Sequence, residues 1–361
     1  FFNNFVQLIN PFHLSNLISK KICIIRLSAI GDTCHTLSVI RQIQDNWPKT
    51  KITWIIGKIE AQLMSDIPNI EFIIFDKNKG FKAYQDIYKH LSNKDFDIAL
   101  CMHPSMRVNF LYPMIQAPIK IGFDRRRAKD LQWIFTNRYI KAKNNEHALD
   151  ALLSFASNIG LITKPLRWEI PLNKDENKFA AKFVDPNKFT VLISPCSSNR
   201  KKNFRNWNIK NYIRVIRYLS KNGCKVILTG GSTRLEAKYA LELSANTEST
   251  NLIGKTSLKQ LAALIQAADL VICPDSGPAH IATAFNTPVI GLYATSNPKR
   301  TGPYNSYELT INRYPDAVKK YLKKTVNQIR WGQRVRHRDA MMLITVEDVI
   351  KKIKFFLNSK K

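Results

Sequence analysis

Short runs of β-branched and other apolar residues alternate with longer amphipathic stretches along the whole chain. In the first half these runs predict buried strands at 21–26, 52–56, 71–75, 96–101 and 119–122. Helical patterns separate them, and the first helix is expected to begin near Asp32 and Thr33. This alternation is typical of an α/β fold with a doubly wound, mainly parallel sheet.

The same alternation returns in the second half, after a less regular segment that contains Pro165, Pro171 and Pro186. Here the apolar runs predict strands at 189–194, 225–229, 268–273 and 288–293. Helices are expected at 147–159 and, with lysines on the outer face, at 346–357. Two such α/β halves predict a cleft at the carboxyl ends of their strands, which is where ligands bind in these folds.

A length of 361 residues exceeds one typical hydrophobic core and favours two domains. We expect a lead-in segment at 1–20, a first domain at 21–170, a linker at 171–187, a second domain at 188–340 and a closing helical segment at 341–361. The lead-in has no charged start and no small-residue cleavage site, so a signal peptide is not expected.

Charge and cysteine content narrow the function classes. The net charge of +29 predicts an anionic partner: nucleic acid, acidic lipid headgroups or a phosphorylated glycan. Nucleic acid is not expected, because no zinc-finger, homeodomain or RNA-recognition pattern is present. The six cysteines are scattered without a Cys-x-x-Cys pair, which favours a reduced, cytoplasmic location with neither a zinc site nor a disulfide framework. No cofactor is expected.

The most organised motif follows the apolar run 268–273. Asp275, Ser276 and Gly277 form a turn, and Pro278 suits the first position of a helix that also contains His280. Backbone N–H groups and the positive end of the helix dipole then face outward and can bind a phosphate or diphosphate. The alternative is an ordinary turn in which Asp275 or Ser276 caps the helix.

A second motif follows the predicted strand 189–194. Ser197 and Ser198 precede a group of cations that includes Arg205, and Trp207 anchors the loop. Hydroxyls, backbone N–H groups and one cation suit a diphosphate. The alternative is a solvated basic loop.

A third motif follows the first predicted strand. Gly31 permits close approach of a ligand, and the Asp32 carboxylate could accept a proton from an attacking hydroxyl. The alternative role of Asp32 is a helix cap. A basic run at 125–129 lies beyond another strand end and could face an anionic acceptor, or be a solvated face.

In this order, the motifs resemble the lipopolysaccharide heptosyltransferases, the inverting GT-B glycosyltransferases of family nine. The resemblance rests on 26–36, on Ser197-Ser198 with Arg205-Asn-Trp207, on 275–280 and on 341–349. It implies two Rossmann-like domains facing each other across a cleft. The first domain would bind the anionic acceptor, which is either Kdo-bearing lipid A or the growing inner core. The second domain would bind the donor, ADP-L-glycero-D-manno-heptose. The last helix would cross back to the first domain.

The resemblance also implies a role for individual residues. Asp32 falls on the general base, Arg205 falls where many relatives carry Lys, and Glu236 is the nearest match to the residue that holds the ribose. The resemblance implies a diphosphate site formed by Ser197, Ser198, Arg205, Asp275, Ser276, Gly277 and His280. Weaker candidates are Lys255 and Thr256 for the nucleotide, and Ser28, Gly31, His35, Arg107, Arg127 and Lys129 for the acceptor.

We therefore expect an inverting, metal-independent heptosyltransferase at the inner face of the inner membrane, in peripheral contact with anionic lipid. One alternative is a family nine hexosyltransferase that uses another nucleotide sugar on a core or surface glycan. The other is a non-catalytic basic protein that binds nucleic acid or an anionic membrane.

Overall fold

The computed structural model describes residues 20–197 and 202–359, and the chain divides into two compact α/β units. The first unit takes in the chain up to Asn144 together with Ala148–Trp168. The second takes in Asn145–His147 and the chain from Glu169 onward. The main division therefore lies close to the expected domain limit at residue 170, apart from the short exchange at 145–147.

The first unit is built on a parallel sheet with the strand order β3-β2-β1-β4-β5-β6. Its strands are β1 (Lys21–Ile25), β2 (Lys51–Gly57), β3 (Ile70–Phe75), β4 (Ile98–Cys101), β5 (Ile119–Gly122) and β6 (Arg138–Tyr139). Its helices are α1 (Ile30–Asn46), α2 (Lys58–Met64), α3 (Phe81–Leu91), α4 (Met106–Asn109) and α5 (Ala148–Asn158). The helix α1 packs on α5.

The second unit repeats this plan with the strand order β12-β11-β10-β7-β8-β9, again with parallel pairs. Its strands are β7 (Thr190–Ile193), β8 (Lys225–Leu228), β9 (Thr250–Asn251), β10 (Leu270–Pro274), β11 (Val289–Tyr293) and β12 (Ile311–Asn312). Its helices are α6 (Lys174–Ala181), α7 (Ile209–Lys221), α8 (Arg234–Asn246), α9 (Leu258–Ala267), α10 (Gly277–Ala284), α11 (Pro298–Thr301), α12 (Tyr314–Ala317) and α13 (Val346–Asn358).

The central strands explain why the apolar runs were informative. Every residue of β4, β7, β10 and β11 is buried, as are the last four of β1. Helices cover both faces of a parallel sheet, so its inner strands need continuous apolar runs rather than alternation. The predicted doubly wound α/β fold is confirmed in both units.

The segment 171–187, expected as a linker, instead contains the helix α6. The Asn173 side chain accepts hydrogen bonds from the backbone N–H groups of Asp175 and Glu176, at 2.9 and 3.0 Å, and so caps this helix. The helix packs on α9, and Lys259 Nζ donates to the Pro171 carbonyl at 2.6 Å. The prolines on either side of this segment favoured the prediction of a linker, but the segment forms a short helix that belongs to the second unit.

The closing helix α13 packs within the second unit, whereas the resemblance implied a helix that crosses to the first domain. Its buried residues Val349, Ile353 and Phe356 join the core of the second unit, and the helix lies against α7. Just before the helix, the Ile344 carbonyl accepts a hydrogen bond from Trp207 Nε1 at 3.0 Å. This contact fastens the loop after β7 to the closing segment.

Candidate active site

The carboxyl end of β1 lies where the strand order of the first sheet reverses. β1 is flanked by β2 on one side and by β4 on the other, so the loops that follow β1 and β4 diverge. Open α/β sheets bind ligands at such a switch point. The polar side chains in these two loops are therefore the first place to search for chemistry in this unit.

Asp32 lies in the first turn of α1 and forms an ion pair with Arg26 at the end of β1. Its Oδ2 also accepts a hydrogen bond from the Ala29 N–H at 3.3 Å. About a third of the Asp32 side chain (36%) remains exposed. Asp32 is thus the third residue of the helix, and Ala29 is the N-cap. The Asp32 carboxylate is held by Arg26 and by the Ala29 N–H while remaining partly open to solvent.

Arg26 joins the two loops of the switch point. Its Nη1 donates to the Met102 carbonyl after β4 at 2.5 Å, and its own carbonyl accepts from Trp54 Nε1 at 3.2 Å. The residue is 9% exposed. A buried guanidinium with fixed partners holds the neighbouring carboxylate in one place.

The ion pair controls the protonation of Asp32. Burial by itself would raise the pKa of Asp32, but the charge and hydrogen bond of Arg26, aided by His35 and the Ala29 N–H, lower that pKa to about 2. The carboxylate is consequently ionised throughout the physiological range. It can accept a proton from a substrate hydroxyl, although the guanidinium reduces its intrinsic basicity.

His103 is a residue of this cluster that the motif search overlooked. Its Nδ1 accepts a hydrogen bond from the Leu27 N–H at 3.2 Å, so the neutral ring carries its proton on Nε2. Burial, together with the charge of Arg26, lowers the pKa of His103 to about 3. The sequence signal was a polar residue two positions after the buried strand β4.

The residues expected to bind the acceptor divide into two groups. Close to the switch point, Ser28 is half-buried, Gly31 is buried in the first turn of α1, and His35 is 2% exposed. The ring of His35 does not face solvent in this conformation. It is among the groups that lower the pKa of Asp32. A direct contact of these three residues with an acceptor stays a prediction.

The second group lies in the loops after β4 and β5. Arg107 on α4 and Lys129 are exposed. Arg127 instead forms an ion pair with the buried Asp124, and its Nη2 donates to the Lys141 carbonyl at 2.7 Å. The structure therefore gives Arg127 a role in holding its own loop, while Arg107 and Lys129 are available to an anionic ligand.

The second sheet has its own switch point, between β7 and β10. The loop after β7 contains Ser197 and Arg205, and the loop after β10 contains the turn from Asp275 to Gly277. The structure thus brings together two motifs that lie some seventy residues apart in the sequence. Ser198 lies outside the described residues.

Arg205 connects these two loops. Its Nη1 donates to the backbone carbonyl of Asp275 at 2.8 Å and lies 3.4 Å from the Asp275 carboxylate, while its Nε donates to Asn203 Oδ1 at 3.2 Å. Both charged side chains are largely buried, at 15 and 7% exposure. Asp275 therefore fixes the guanidinium instead of capping the helix α10.

Ser197 is held by two amide side chains. Its N–H and its Oγ both lie within hydrogen-bond distance of Asn206 Oδ1, at 2.8 and 3.0 Å, and Asn203 Nδ2 donates to its Oγ at 2.7 Å. The residues Asn203 and Asn206 were not singled out from the sequence. They hold Ser197 in a defined position, and Asn203 also contacts Arg205.

The N-terminus of α10 completes this group. Ser276 occupies the capping position, but its Oγ donates to the Pro274 carbonyl at 3.0 Å and does not cap the helix. His280 lies within the helix and is 9% exposed. The positive end of the helix dipole and the Arg205 guanidinium therefore lie in the same region, which favours an anionic ligand.

The weaker nucleotide candidates lie in the loops after β8 and β9. Glu236 accepts hydrogen bonds from the Gly231 N–H at 2.7 Å and the Thr233 hydroxyl at 2.7 Å, and so closes the first turn of α8. Lys255 is exposed and donates to the Asn251 carbonyl at 3.1 Å, and Thr256 is half-buried. The structure gives Glu236 a structural role, and contact of these residues with a nucleotide stays a prediction.

Within 20–197 and 202–359, no group of three or more His, Cys, Asp or Glu residues is placed to hold a metal ion. The same residues include no helix that is long and apolar enough to cross a membrane.

Comparison with known proteins places this arrangement in a family. Residues 85–328 match the family model described as glycosyltransferase family 9 (heptosyltransferase). The chain is 41% identical over 337 residues to the lipopolysaccharide core heptosyltransferase OpsX of Haemophilus influenzae, covering 93% of this chain and 96% of that protein. The chain belongs to glycosyltransferase family 9. It is a glycosyltransferase, as the ordered motifs predicted.

Solved structures support the fold of this family 9 member. A glycosyl transferase family 9 protein from Veillonella parvula matches with a TM-score of 0.76 at 23% identity, over 94% of this chain and 97% of that one. The Escherichia coli ADP-heptose lps heptosyltransferase II matches with a TM-score of 0.71 at 20% identity, over 94% of this chain and 99% of that one. The structure of the Escherichia coli heptosyltransferase WaaC with ADP matches with a TM-score of 0.72 at 18% identity, over 92% of this chain and 99% of that one. The fold is GT-B, with two Rossmann-like units.

Proposed function

We propose that this family 9 member transfers L-glycero-D-manno-heptose from ADP-heptose to the Kdo and heptose inner core of lipopolysaccharide. The observation that carries the proposal is the 41% identity, along nearly the whole chain, to a lipopolysaccharide core heptosyltransferase. The site geometry supports it, because each unit has a polar cluster suited to one half of a glycosyl transfer.

The first unit supplies the base. The Asp32 carboxylate, kept ionised by Arg26, takes the proton of an acceptor hydroxyl. The hydroxyl oxygen attacks the anomeric carbon of the heptose from the face opposite the nucleotide, the bond from that carbon to the diphosphate oxygen breaks, and the configuration inverts. A carboxylate that is already ionised can take the proton as the new bond forms.

The second unit binds the donor. Arg205, Ser197, Ser198 and the N-terminus of α10 bind the diphosphate and stabilise the charge that develops as ADP leaves. Asp275 holds the guanidinium in place. We also assign its carboxylate to a sugar hydroxyl of the donor. Because fixed cationic and N–H groups can stabilise this charge, we propose that the reaction needs no divalent metal ion.

The acceptor is an anionic glycolipid, so the enzyme acts at the inner face of the inner membrane. We propose a cytoplasmic protein in peripheral contact with that surface. Its net charge of +29 favours such contact electrostatically. Arg107 and Lys129 are the exposed cations that we assign to the charged groups of the acceptor.

Calorimetry with a panel of nucleotide sugars tests the donor assignment. We expect ADP-heptose to bind more tightly than ADP-, GDP- or UDP-hexoses, with no change when EDTA is added. Tighter binding of a hexose donor would indicate instead a hexosyltransferase of the same family. Loss of binding in EDTA would contradict the metal-independent mechanism.

A further inference from the structure

A short segment of the first unit buries its polar residue and exposes the apolar residues around it. In 131–134, Gln132 is completely buried, whereas Leu131, Trp133 and Ile134 are 50, 43 and 57% exposed. This is the reverse of the usual distribution, in which large apolar side chains leave water and amides stay in it. The arrangement therefore needs an explanation other than core packing.

The neighbouring helix α4 shows the same reversal. Asn109 is completely buried, whereas Met106 is 41% exposed and Phe110, directly after the helix, is 52% exposed. The two segments are joined, because Asn109 Nδ2 donates to the Asp130 carbonyl at 2.5 Å and the Met106 N–H donates to the Asp130 carboxylate at 3.0 Å. These bonds hold the two segments side by side, and we call their exposed apolar residues the apolar outcrop: Met106, Phe110, Leu131, Trp133 and Ile134.

The buried amides hold the outcrop rigidly. Gln132 Nε2 donates to the Cys101 carbonyl at the end of β4 at 2.6 Å, and its Oε1 accepts from the Phe123 N–H at 3.2 Å. Asp130 and Leu131 also have positive φ angles of 53° and 62°. A leucine in the left-handed region is strained and persists where its surroundings hold it, often at functional sites.

Exposed cations surround the outcrop. Arg107 lies on α4 beside Met106, and Arg125, Arg126 and Lys129 precede Leu131 in the sequence. The Arg125 guanidinium lies 4.6 Å from the centre of the Trp133 ring, so a cation and an exposed aromatic side chain form a single unit.

We propose that the apolar outcrop and its cations dock the protein on an anionic lipid bilayer. Large apolar side chains can enter the boundary between headgroups and acyl chains, where tryptophan is favoured. The exposed guanidinium groups of Arg125 and Arg126 contact the lipid phosphates, while Arg107 and Lys129 remain assigned to the acceptor. The cationic surroundings and the net charge of +29 favour an acidic lipid surface over a neutral one. Several large apolar residues left together in water indicate an interaction surface.

Docking here has a consequence for the candidate active site. His103 lies in the loop after β4 and Met106 is the first residue of α4, and three residues span at most about 11 Å. The bilayer would therefore lie close to the switch point of the first unit. If the proposed function holds, a lipid-borne acceptor would reach Asp32 from the surface on which the protein is docked.

A single attached probe tests the docking surface. The described cysteines are all buried, so Ile134→Cys in the full chain can be labelled with an environment-sensitive dye. Vesicles of phosphatidylethanolamine and phosphatidylglycerol should shift its emission to the blue, and vesicles of phosphatidylcholine should do so much less. The control is Leu241→Cys on α8, a position that is 73% exposed and should give no shift. A silent probe at 134, or equal shifts at both positions, would overturn the proposal.

Vesicle sedimentation gives the second test. The double variant Trp133→Ser, Ile134→Ser should bind anionic vesicles roughly tenfold or more weakly. The exposed apolar residues Phe81 and Leu241 lie outside the outcrop, so Phe81→Ser and Leu241→Ser should bind like the original protein. Unchanged sedimentation of the double variant, with a normal circular dichroism spectrum, would contradict docking at this surface.

Turnover separates this proposal from the proposed function. With a deacylated, water-soluble acceptor the double variant should transfer heptose at the original rate, and with an acceptor embedded in vesicles it should be about tenfold slower at limiting lipid. An equal loss in both assays would argue against a docking role. A protein that transfers no heptose, while the probe and sedimentation results hold, would refute the proposed function and support the docking surface.

Discussion

The pair formed by Arg26 and Asp32 determines what the first unit can do chemically. Arg26 lowers the pKa of Asp32 while leaving about a third of the carboxylate side chain exposed. Burial, together with the charge of the same guanidinium, lowers the pKa of His103, so that its ring remains neutral. One buried cation thus keeps Asp32 ionised and adds to the burial that keeps His103 neutral.

Replacing the base should remove turnover without affecting the donor site. Asp32→Asn keeps the size of the side chain but cannot accept the proton, so we expect kcat to fall by about 10²- to 10⁴-fold. Calorimetry should show donor affinity within about twofold of the original, because the proposed donor site lies in the second unit.

Asp45 provides the matched control for this substitution. It lies near the other end of α1 and also pairs with an arginine, Arg167, whose Nε donates to its carboxylate at 3.0 Å. Asp45→Asn removes the same charge from the same helix and should leave kcat nearly unchanged. Comparable losses in the two variants would show that Asp32 acts through stability rather than as the base.

Arg26→Gln should alter the pH dependence of the reaction. Arg26 is the main cause that lowers the pKa of Asp32, and burial acts in the opposite direction, so its removal should raise that pKa. The original enzyme should keep Asp32 ionised down to about pH 2, whereas the variant should lose kcat/KM at a higher pH as the carboxylate is protonated. A pH–rate profile in which the acidic limb does not move would contradict this account.

Arg205 should be required for binding of the diphosphate. Arg205→Ala removes the cation that links the two loops and should weaken ADP binding by about tenfold or more, because a charge-assisted hydrogen bond contributes about 1.5–3 kcal/mol. Arg205→Lys keeps the charge but not the planar fork, so it should recover part of the loss.

The control for Arg205 is Arg214→Ala on α7. Arg214 pairs with Glu347 at 2.8 Å, and both side chains are well exposed. Calorimetry should find ADP affinity unchanged in this variant. If Arg205→Ala binds ADP as well as Arg214→Ala does, the assignment of the diphosphate site fails.

At the scale of elements, the apolar runs were sufficient to predict the longer strands, including the edge strand β3, but not the shortest ones. β6, β9 and β12 contain two residues each, too few to show a period. The helix α6 was overlooked because the prolines around it indicated a linker. Its signal was the spacing of Asn173 and Glu176, a capping box that only becomes decisive once the packing on α9 is known.

The candidate site could be predicted in part from the sequence. Asp32, Arg205 and Asp275 follow buried strands, so their types and positions carried the signal. The partner of Arg205 could not be predicted, because which loop lies beside it depends on the strand order. The same limit hid His103, whose position beside Arg26 follows from the pairing of β1 with β4.

A substitution in the loop after β8 tests whether Thr233 acts as a helix cap or contacts the nucleotide. Thr233 caps α8 and bonds Glu236. Thr233→Ala should lower the free energy of unfolding by about 1 kcal/mol, the usual contribution of such a cap. Denaturant unfolding measures this loss, and ADP affinity should remain nearly constant. A tenfold loss of ADP affinity at unchanged stability would show instead that this residue contacts the nucleotide.

At the scale of the whole molecule, the net charge and the apolar outcrop act together. Long-range attraction by exposed charges is screened by salt, whereas apolar insertion is not. Raising the salt concentration from about 0.05 to about 0.5 M should therefore slow turnover of a vesicle-embedded acceptor severalfold and affect a deacylated acceptor much less. Equal salt effects on both acceptors would indicate that the charge acts on the sugar rather than on the membrane.

The central claim is that this chain transfers heptose, with Asp32 as the base. The most direct measurement is mass spectrometry of Kdo–lipid A and of a heptose-bearing inner core after incubation with ADP-heptose, beside the Asp32→Asn variant. The account predicts that one of the acceptors gains one heptose with the original protein, and that the variant produces almost none. Transfer of heptose to neither acceptor, or full activity of Asp32→Asn, would contradict it.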